Sequence, residues 1–136
     1  MNIPHSEEEK EEDFLEYLYM GWKSGTEIWP HQVKMHLELM DAELKRLERG
    51  LMASGYLRKR AENSGYRLTE LGKVQGEECL LRHHNLTQFL QMTCGLEEEE
   101  AEENACRMEH VISSESFAAI KQHVQDNNEI PAKAEM

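Results

Sequence analysis

The chain has 136 residues, 31% of them charged and 39% hydrophobic, with a formal net charge of −12. That is enough for one ordinary domain or two small ones. No apolar run approaches the roughly 20 residues of a membrane helix, and the acidic N-terminus lacks the basic and apolar regions of a secretory signal, so a cytoplasmic protein with no membrane partner is expected.

In chain order, Ser6-Glu7-Glu8-Glu9 has the form of a capping box that opens a helix. Phe14, Leu15, Leu18, Tyr19 and Trp22 follow at helical spacing, and Gly25 closes it. Pro30 suits the first turn of a second helix with Val33, Leu37 and Leu39 apolar. Asp41 is a good N-cap for a third, whose apolar stripe is Leu44, Leu47 and Leu51 and whose end is Ser54-Gly55. Tyr56–Arg60 and Tyr66–Thr69 flank a polar, glycine-containing turn, the pattern of a β-hairpin. A long helix is predicted from Glu70 to Cys94, stopped by Gly95, and another from Glu97 to Val111. Ser113 or Ser114 caps a last helix carrying Phe117, Ile120 and Val124, with a polar, frayed tail from Asp126.

Charge is distributed unevenly along this order. Residues 1–20 hold seven acids and one base, residues 21–75 hold ten bases and seven acids, and residues 76–136 hold thirteen acids and four bases. Phosphate binding needs local rather than global positive potential, and only the middle segment offers it. Three helices followed by a two-stranded hairpin is the order of a winged helix-turn-helix, whose third helix enters the major groove and whose wing lies along phosphates. Lys45, Arg46 and Arg49 then fall on the third helix, and Arg58, Lys59, Arg60 and Arg67 on the wing. These side chains suit phosphate and, for arginine, guanine. The alternative is a set of solvating charges on a small α/β domain. The whole is expected to be mainly α with a small β-hairpin, with a winged helix-turn-helix over 1–75 followed by a helical region over 76–136.

Cys106-Arg107-Met108-Glu109-His110 places a thiol, a carboxylate and an imidazole at i, i+3 and i+4, on one face of a helix. Sulfur, oxygen and nitrogen donors together form half of a transition-metal site. Asp13 and Glu16, at i and i+3 on the first helix, and the adjacent His83 and His84 are candidates for the other half. Neighbouring helical residues point about 100° apart, so at most one of the two histidines faces a given site. Singly, each residue also has an ordinary reading: surface charge, a hydrogen-bonded histidine, a small core thiol. The three cysteines, Cys79, Cys94 and Cys106, are an odd number without a disulfide framework, which suits a reducing compartment. No His-Glu-x-x-His or Cys-x-x-Cys occurs, and no Gly-rich substrate loop or separate general base argues for an enzyme.

Tyr66-Arg67-Leu68-Thr69-Glu70-Leu71-Gly72-Lys73, then Arg82-His83-His84-Asn85-Leu86 with Phe89-Leu90, then Gly95-Leu96, then Ala105-Cys106-Arg107-Met108-Glu109-His110-Val111-Ile112-Ser113 resemble the DtxR/MntR (diphtheria toxin repressor and manganese transport regulator) family. Glu12–Tyr19 resembles that family's opening helix, so the resemblance runs from about residue 10 to 125. It implies a cytoplasmic homodimer, with a helical metal-binding and dimerisation domain over 76–136, that represses metal-homeostasis genes by binding a double-stranded DNA operator when Fe(II) or Mn(II) is bound, with Co(II), Ni(II) or Zn(II) able to substitute. It implies Asp13, Glu16, His84, Cys106, Glu109 and His110 as metal ligands, with Cys106 as in the iron branch and Asp13 and Glu16 as in the manganese branch. Glu102 falls at an ancillary iron-branch position, while Gln88 replaces that branch's ancillary carboxylate. The length leaves no room for the iron branch's SH3-like domain, so a two-domain, manganese-type architecture is expected. The departure is at the start of the third helix, where Asp41 and Glu43 replace small hydroxyl residues and face phosphate; further along the same helix, Gly50 sits mid-helix at a cost of about 1 kcal/mol relative to alanine. Those acids support a second expectation, a metal-binding or protein-interaction module of the same fold that has lost operator recognition.

Overall fold

The structure is a computed structural model that describes residues 6–58 and 65–135, with side chains through Asn127. It is mainly helical with one small two-stranded sheet: α1 (Glu7–Lys23), α2 (Pro30–His36), α3 (Asp41–Ala53), β1 (Leu57–Arg58), β2 (Arg67–Leu68), α4 (Glu70–Cys94), α5 (Glu98–Met108) and α6 (Ser114–Glu135). Two compact units divide the chain, residues 1–80 and residues 81–136. Among the described residues, no helix is long and apolar enough to cross a membrane.

The first unit is built on α1–α3. Ser6 caps α1 as its sequence predicts, its Oγ accepting the Glu9 N–H at 3.2 Å. Phe14, Leu15, Leu18 and Tyr19 from α1 meet Val33, Leu39, Leu44, Leu47 and Leu51 in one core, closed by Leu57 and Leu68 of the sheet. Trp22 ends the predicted α1 stripe but is 52% exposed, with Lys73 Nζ 4.5 Å from its ring centroid. Helix α2 stops at His36, short of Leu39, because Glu38 takes φ 55° and turns the chain, leaving Leu39 to bury from the connection.

The start of α3 differs from expectation. Asp41 is the first helical residue rather than the N-cap, which is Met40. Methionine offers no useful acceptor, so the cap is made in reverse. Glu43 Oε1 accepts the Met40 N–H at 3.2 Å, and Asp41 turns aside to Lys34 at 2.7 Å.

Thr69 anchors α4 to the sheet. Its Oγ1 donates to the Gly55 carbonyl at 2.6 Å and accepts the Gly72 N–H at 2.9 Å, while its own N–H donates to Tyr56 O at 3.1 Å. Gly72 and Gly76 lie one turn apart where α4 runs closest to the rest of this unit. A methyl at Gly72 would overlap Tyr56 O, and one at Gly76 would stand 2.6 Å from Tyr19 Cβ. Gly50 of α3 is explained differently: among the described residues, the side chain crowding its missing Cβ is the carboxylate of Glu11. Tyr66, in edge-to-face contact with Phe14, donates its hydroxyl to Glu48 at 2.5 Å and so ties β2's approach to α3. Burial, followed by that carboxylate, drives the Tyr66 phenol far above its ordinary range.

In the second unit, Leu86 and Leu90 of α4 pack on Ala101 and Ala105 of α5, with Phe89, Leu96, Met108, Ile112, Phe117 and Ile120 around them. The alanines, four apart, give α5 a flat face for close packing. Gly95, at φ 65°, ends α4 where expected. Of the two serines proposed to cap α6, Ser113 does so, its Oγ accepting Ser116 N–H at 3.1 Å. Helical geometry continues past Asp126, where a frayed tail was expected, with local support from Gln122 Nε2 to Asp126 at 2.9 Å and Asn127 Nδ2 to the His123 carbonyl at 2.8 Å.

Candidate metal centre

The donor turn is the end of a helix, not its middle. Helix α5 stops at Met108, three residues before the predicted Val111, because Met108 O accepts from both Val111 N (3.1 Å) and Ile112 N (3.0 Å) and closes the turn. Glu109 is the C-cap, its N–H still bonded to Ala105 O at 2.9 Å. Since Ala105 is fully buried on the α4 side and Glu109 lies four residues on, Glu109 is carried inward and is 1% exposed.

Around that carboxylate the second unit gathers donors. Cys106 Sγ, a Glu109 carboxylate oxygen and a His110 ring nitrogen lie within 4.8 Å of one another. His110 Nε2 is 3.5 Å from Glu109 Oε1, and the two side chains are 2% and 1% exposed. Helix α4 meets them twice: Arg82 Nη1 donates to the Glu109 carbonyl at 3.3 Å, and His83 Nδ1 approaches Glu109 Oε1 at 3.9 Å. A carboxylate this deeply buried is costly unless positive charge or strong donors face it. The set mixes a soft thiol, two imidazoles and a hard carboxylate, and so fits a divalent first-row transition metal rather than calcium or magnesium.

The histidine that reaches this turn is His83, whereas His84 is exposed. Helical phase could have separated them. Leu86 and Leu90 are buried, and His83 precedes them by three and seven residues on the same face, whereas His84 is rotated off it. Asp13 and Glu16 lie on α1 in the first unit, three residues apart and half-buried. Glu102 and Gln88 are both exposed.

Lys45, Arg46 and Arg49 are exposed on α3, and Arg58 is exposed on β1, while Lys59 and Arg60 lie outside the described residues. Arg46 Nε pairs with Glu7 at 2.8 Å. The two acids that depart from the family pattern are also paired. Lys34 hydrogen-bonds Asp41 and holds its carboxyl below the usual range, and Lys10 does the same for Glu43 at 2.6 Å, helped by the Met40 N–H. Lys10 and Lys34 were not among the residues singled out from sequence. The i−7 spacing of Lys34 from Asp41 crosses a helix break, and Lys10 is brought to Glu43 only by tertiary packing.

The described residues form a mainly helical protein with a thiol, a carboxylate and imidazoles gathered at the end of α5. Residues 69–136 match the family described as iron dependent repressor, metal binding and dimerisation domain. The chain belongs to this iron-dependent repressor family. An uncharacterised HTH-type transcriptional regulator of Methanocaldococcus jannaschii is 29% identical over 111 residues, 81% of this chain and 88% of that protein. Among solved structures, the manganese regulator SloR superposes with TM-score 0.75 at 19% identity over 85% of this chain and 53% of its own. The zinc-bound form of ScaR gives TM-score 0.67 at 27% identity over 85% and 53%, and T. acidophilum IdeR gives 0.69 at 16% over 90% and 55%. The chain spans about half the length of these solved regulators.

Proposed function

We propose that this chain is a metal-responsive transcriptional repressor of metal-homeostasis genes, acting in the cytoplasm as a homodimer on double-stranded DNA. The observation that carries the reading is the buried Glu109 carboxylate with Cys106, His110 and His83 around it, on the stretch that matches a metal-binding and dimerisation domain. Cys106, Glu109, His110 and His83 are the proposed ligands from the second unit. Asp13 and Glu16 are proposed to complete the set from α1. His83 replaces His84 in this set for the geometric reason given above. A divalent cation supplies the positive charge that offsets these carboxylates, and thiol and imidazoles must lose their protons to bind it, so affinity falls at acidic pH.

In the loaded state, α1 and the α5 turn are joined through these side chains. The proposed consequence is that the two winged helices of a dimer are held at the spacing of two half-sites. The order α1–α2–α3–β1–β2 supports that assignment for residues 1–75, as does the exposure of Lys45, Arg49 and Arg58. Pairing of Asp41 with Lys34 and of Glu43 with Lys10 lessens the repulsion these acids exert on phosphate. The mixed donors suit Fe(II) or Mn(II), and Co(II), Ni(II) or Zn(II) as substitutes.

Titration calorimetry of the full chain with Mn(II), Fe(II), Co(II) and Zn(II) tests the metal reading. Binding that Cys106→Ala and Glu109→Ala do not weaken defeats it. A gel shift on the upstream region, with and without metal, tests the DNA reading. One observation favours a second reading, a module without operator recognition: Arg46 is already engaged by Glu7. Absence of retention at low salt, where phosphate contacts are strongest, selects that module.

A further inference from the structure

The small sheet carries an arrangement that folding alone does not explain. Its register opposes Leu57 to Leu68 and Arg58 to Arg67. The leucines are buried in the core, and both arginines are exposed on the other face. Like charges directly opposite each other weaken an antiparallel pair. Among the described residues, neither guanidinium is held by an ion pair. Two strands of two residues each have little stability to give up, so the repulsion matters here more than it would in a large sheet.

Both arginines open onto a cavity of about 660 Å³ in the first unit, also lined by Trp22, Thr69 and Lys73. That volume is in the range of small-molecule sites. Two carboxylates share its wall, and each already has a donor: Glu27 Oε1 accepts the Gly65 N–H at 2.8 Å, and Glu70 Oε1 accepts from Lys73 Nζ at 3.2 Å. The opposed guanidinium pair is therefore the part of the wall with capacity for an anion. Guanidinium forks match tetrahedral oxyanions in bidentate fashion. A doubly charged anion offsets two positive charges, whereas a single carboxylate offsets one, so phosphate is the better fit.

We propose that Arg58 and Arg67 form an anion site for a phosphate group in the cavity beside Trp22. The phosphate is the doubly charged group of a free small molecule, not the singly charged phosphodiester of a DNA backbone, which is the contact already expected of these arginines on a wing. The site involves none of the proposed metal ligands, so its failure and the failure of the metal reading are separately visible.

The test uses the full chain labelled with nitrogen-15 and follows its two indole N–H resonances, of Trp22 and Trp29. Inorganic phosphate is added at constant ionic strength, with chloride as control, and a short duplex is added in a separate arm. A saturable shift of the Trp22 signal by phosphate, weakened about tenfold by Arg67→Gln as expected for loss of one charge-assisted bond, and unchanged by Lys121→Gln, supports the site with a free ligand as source. No response to phosphate but a Trp22 shift with duplex overturns the proposal and leaves Arg58 and Arg67 as phosphodiester contacts of a wing. No Trp22 response in either arm, or an Arg67→Gln variant that behaves like Lys121→Gln, overturns the proposal. Arg67→Gln relieves the cross-strand repulsion, so its melting temperature is expected not to fall, which separates lost binding from lost folding.

Discussion

The same substitution at two glycines should change stability in opposite directions. In Gly72→Ala, the new methyl overlaps the Tyr56 carbonyl oxygen and stands 3.2 Å from Leu68 Cδ2. Backbone cannot swing away as a side-chain tip can, so the base of the sheet must move. Overpacking of this kind costs about 1–3 kcal/mol. Tyr56 O also accepts the Thr69 N–H at 3.1 Å, and loosening that bond adds about 1 kcal/mol. Alanine returns about 1 kcal/mol of helix propensity, which leaves Gly72→Ala destabilised by about 1–3 kcal/mol. In Gly50→Ala, the new methyl meets, among the described residues, only the Glu11 carboxylate, the far end of a flexible side chain, which rotates toward solvent. The propensity gain of about 1 kcal/mol then stands nearly whole. Urea unfolding followed by far-ultraviolet circular dichroism should separate the variants by about 2–4 kcal/mol, with Gly50→Ala above the parent and Gly72→Ala below it. If Gly72→Ala proves as stable as Gly50→Ala, the close approach of α4 to Tyr56 is not what the glycine serves.

Three further outcomes are expected. His83→Ala should weaken metal binding at least tenfold by calorimetry while His84→Ala leaves it unchanged, since even partners outside the ligand shell are worth about that much; equal effects would show that His83 has no special place. Glu43→Gln should destabilise the protein at neutral pH, because Lys10 and the Met40 N–H hold the Glu43 carboxyl below its ordinary 4.5. A lowered folded value means the contribution is present above 4.5 and lost as pH falls through the folded value, so parent and variant melting curves should converge in acid. Glu11→Gln should do the reverse. Burial, then Glu7, Glu8 and Glu12, raise the Glu11 carboxyl above 4.5; ionisation therefore costs stability at neutral pH, the variant should melt higher there, and its advantage should vanish below 4.5.

Local features were legible in the sequence wherever local chemistry decides them. The Ser6 cap, the buried Leu44-Leu47-Leu51 stripe and the Gly95 stop each depend on residues within a turn or two of one another. What was not legible depends on tertiary contact. Asp41 looked like an N-cap because its type suits one, but Lys34 drew it away and Glu43 took over the Met40 N–H. In the sequence Gly72 is one letter of a motif, and only the position of Tyr56 O explains it. At the candidate metal centre, residue types and spacing single out Cys106, Glu109 and His110, whose donor atoms the structure brings within 4.8 Å of one another. The choice between His83 and His84 needed the phase of α4, fixed by Leu86 and Leu90 burying against α5.

The ion pairs that join α1 and α2 to α3 give salt two opposing roles in any binding to DNA. Added salt screens Lys45, Arg49 and Arg58 from phosphate and weakens association. It also loosens Glu7 from Arg46, a pair whose side chains are 60% and 53% exposed, and thereby frees a cation on the same helix. A plot of log affinity against log salt should then bend, starting shallow while Arg46 is being released and steepening once it competes for phosphate like its neighbours. Glu7→Gln removes the reservoir, and its plot should be straight from the lowest salt upward.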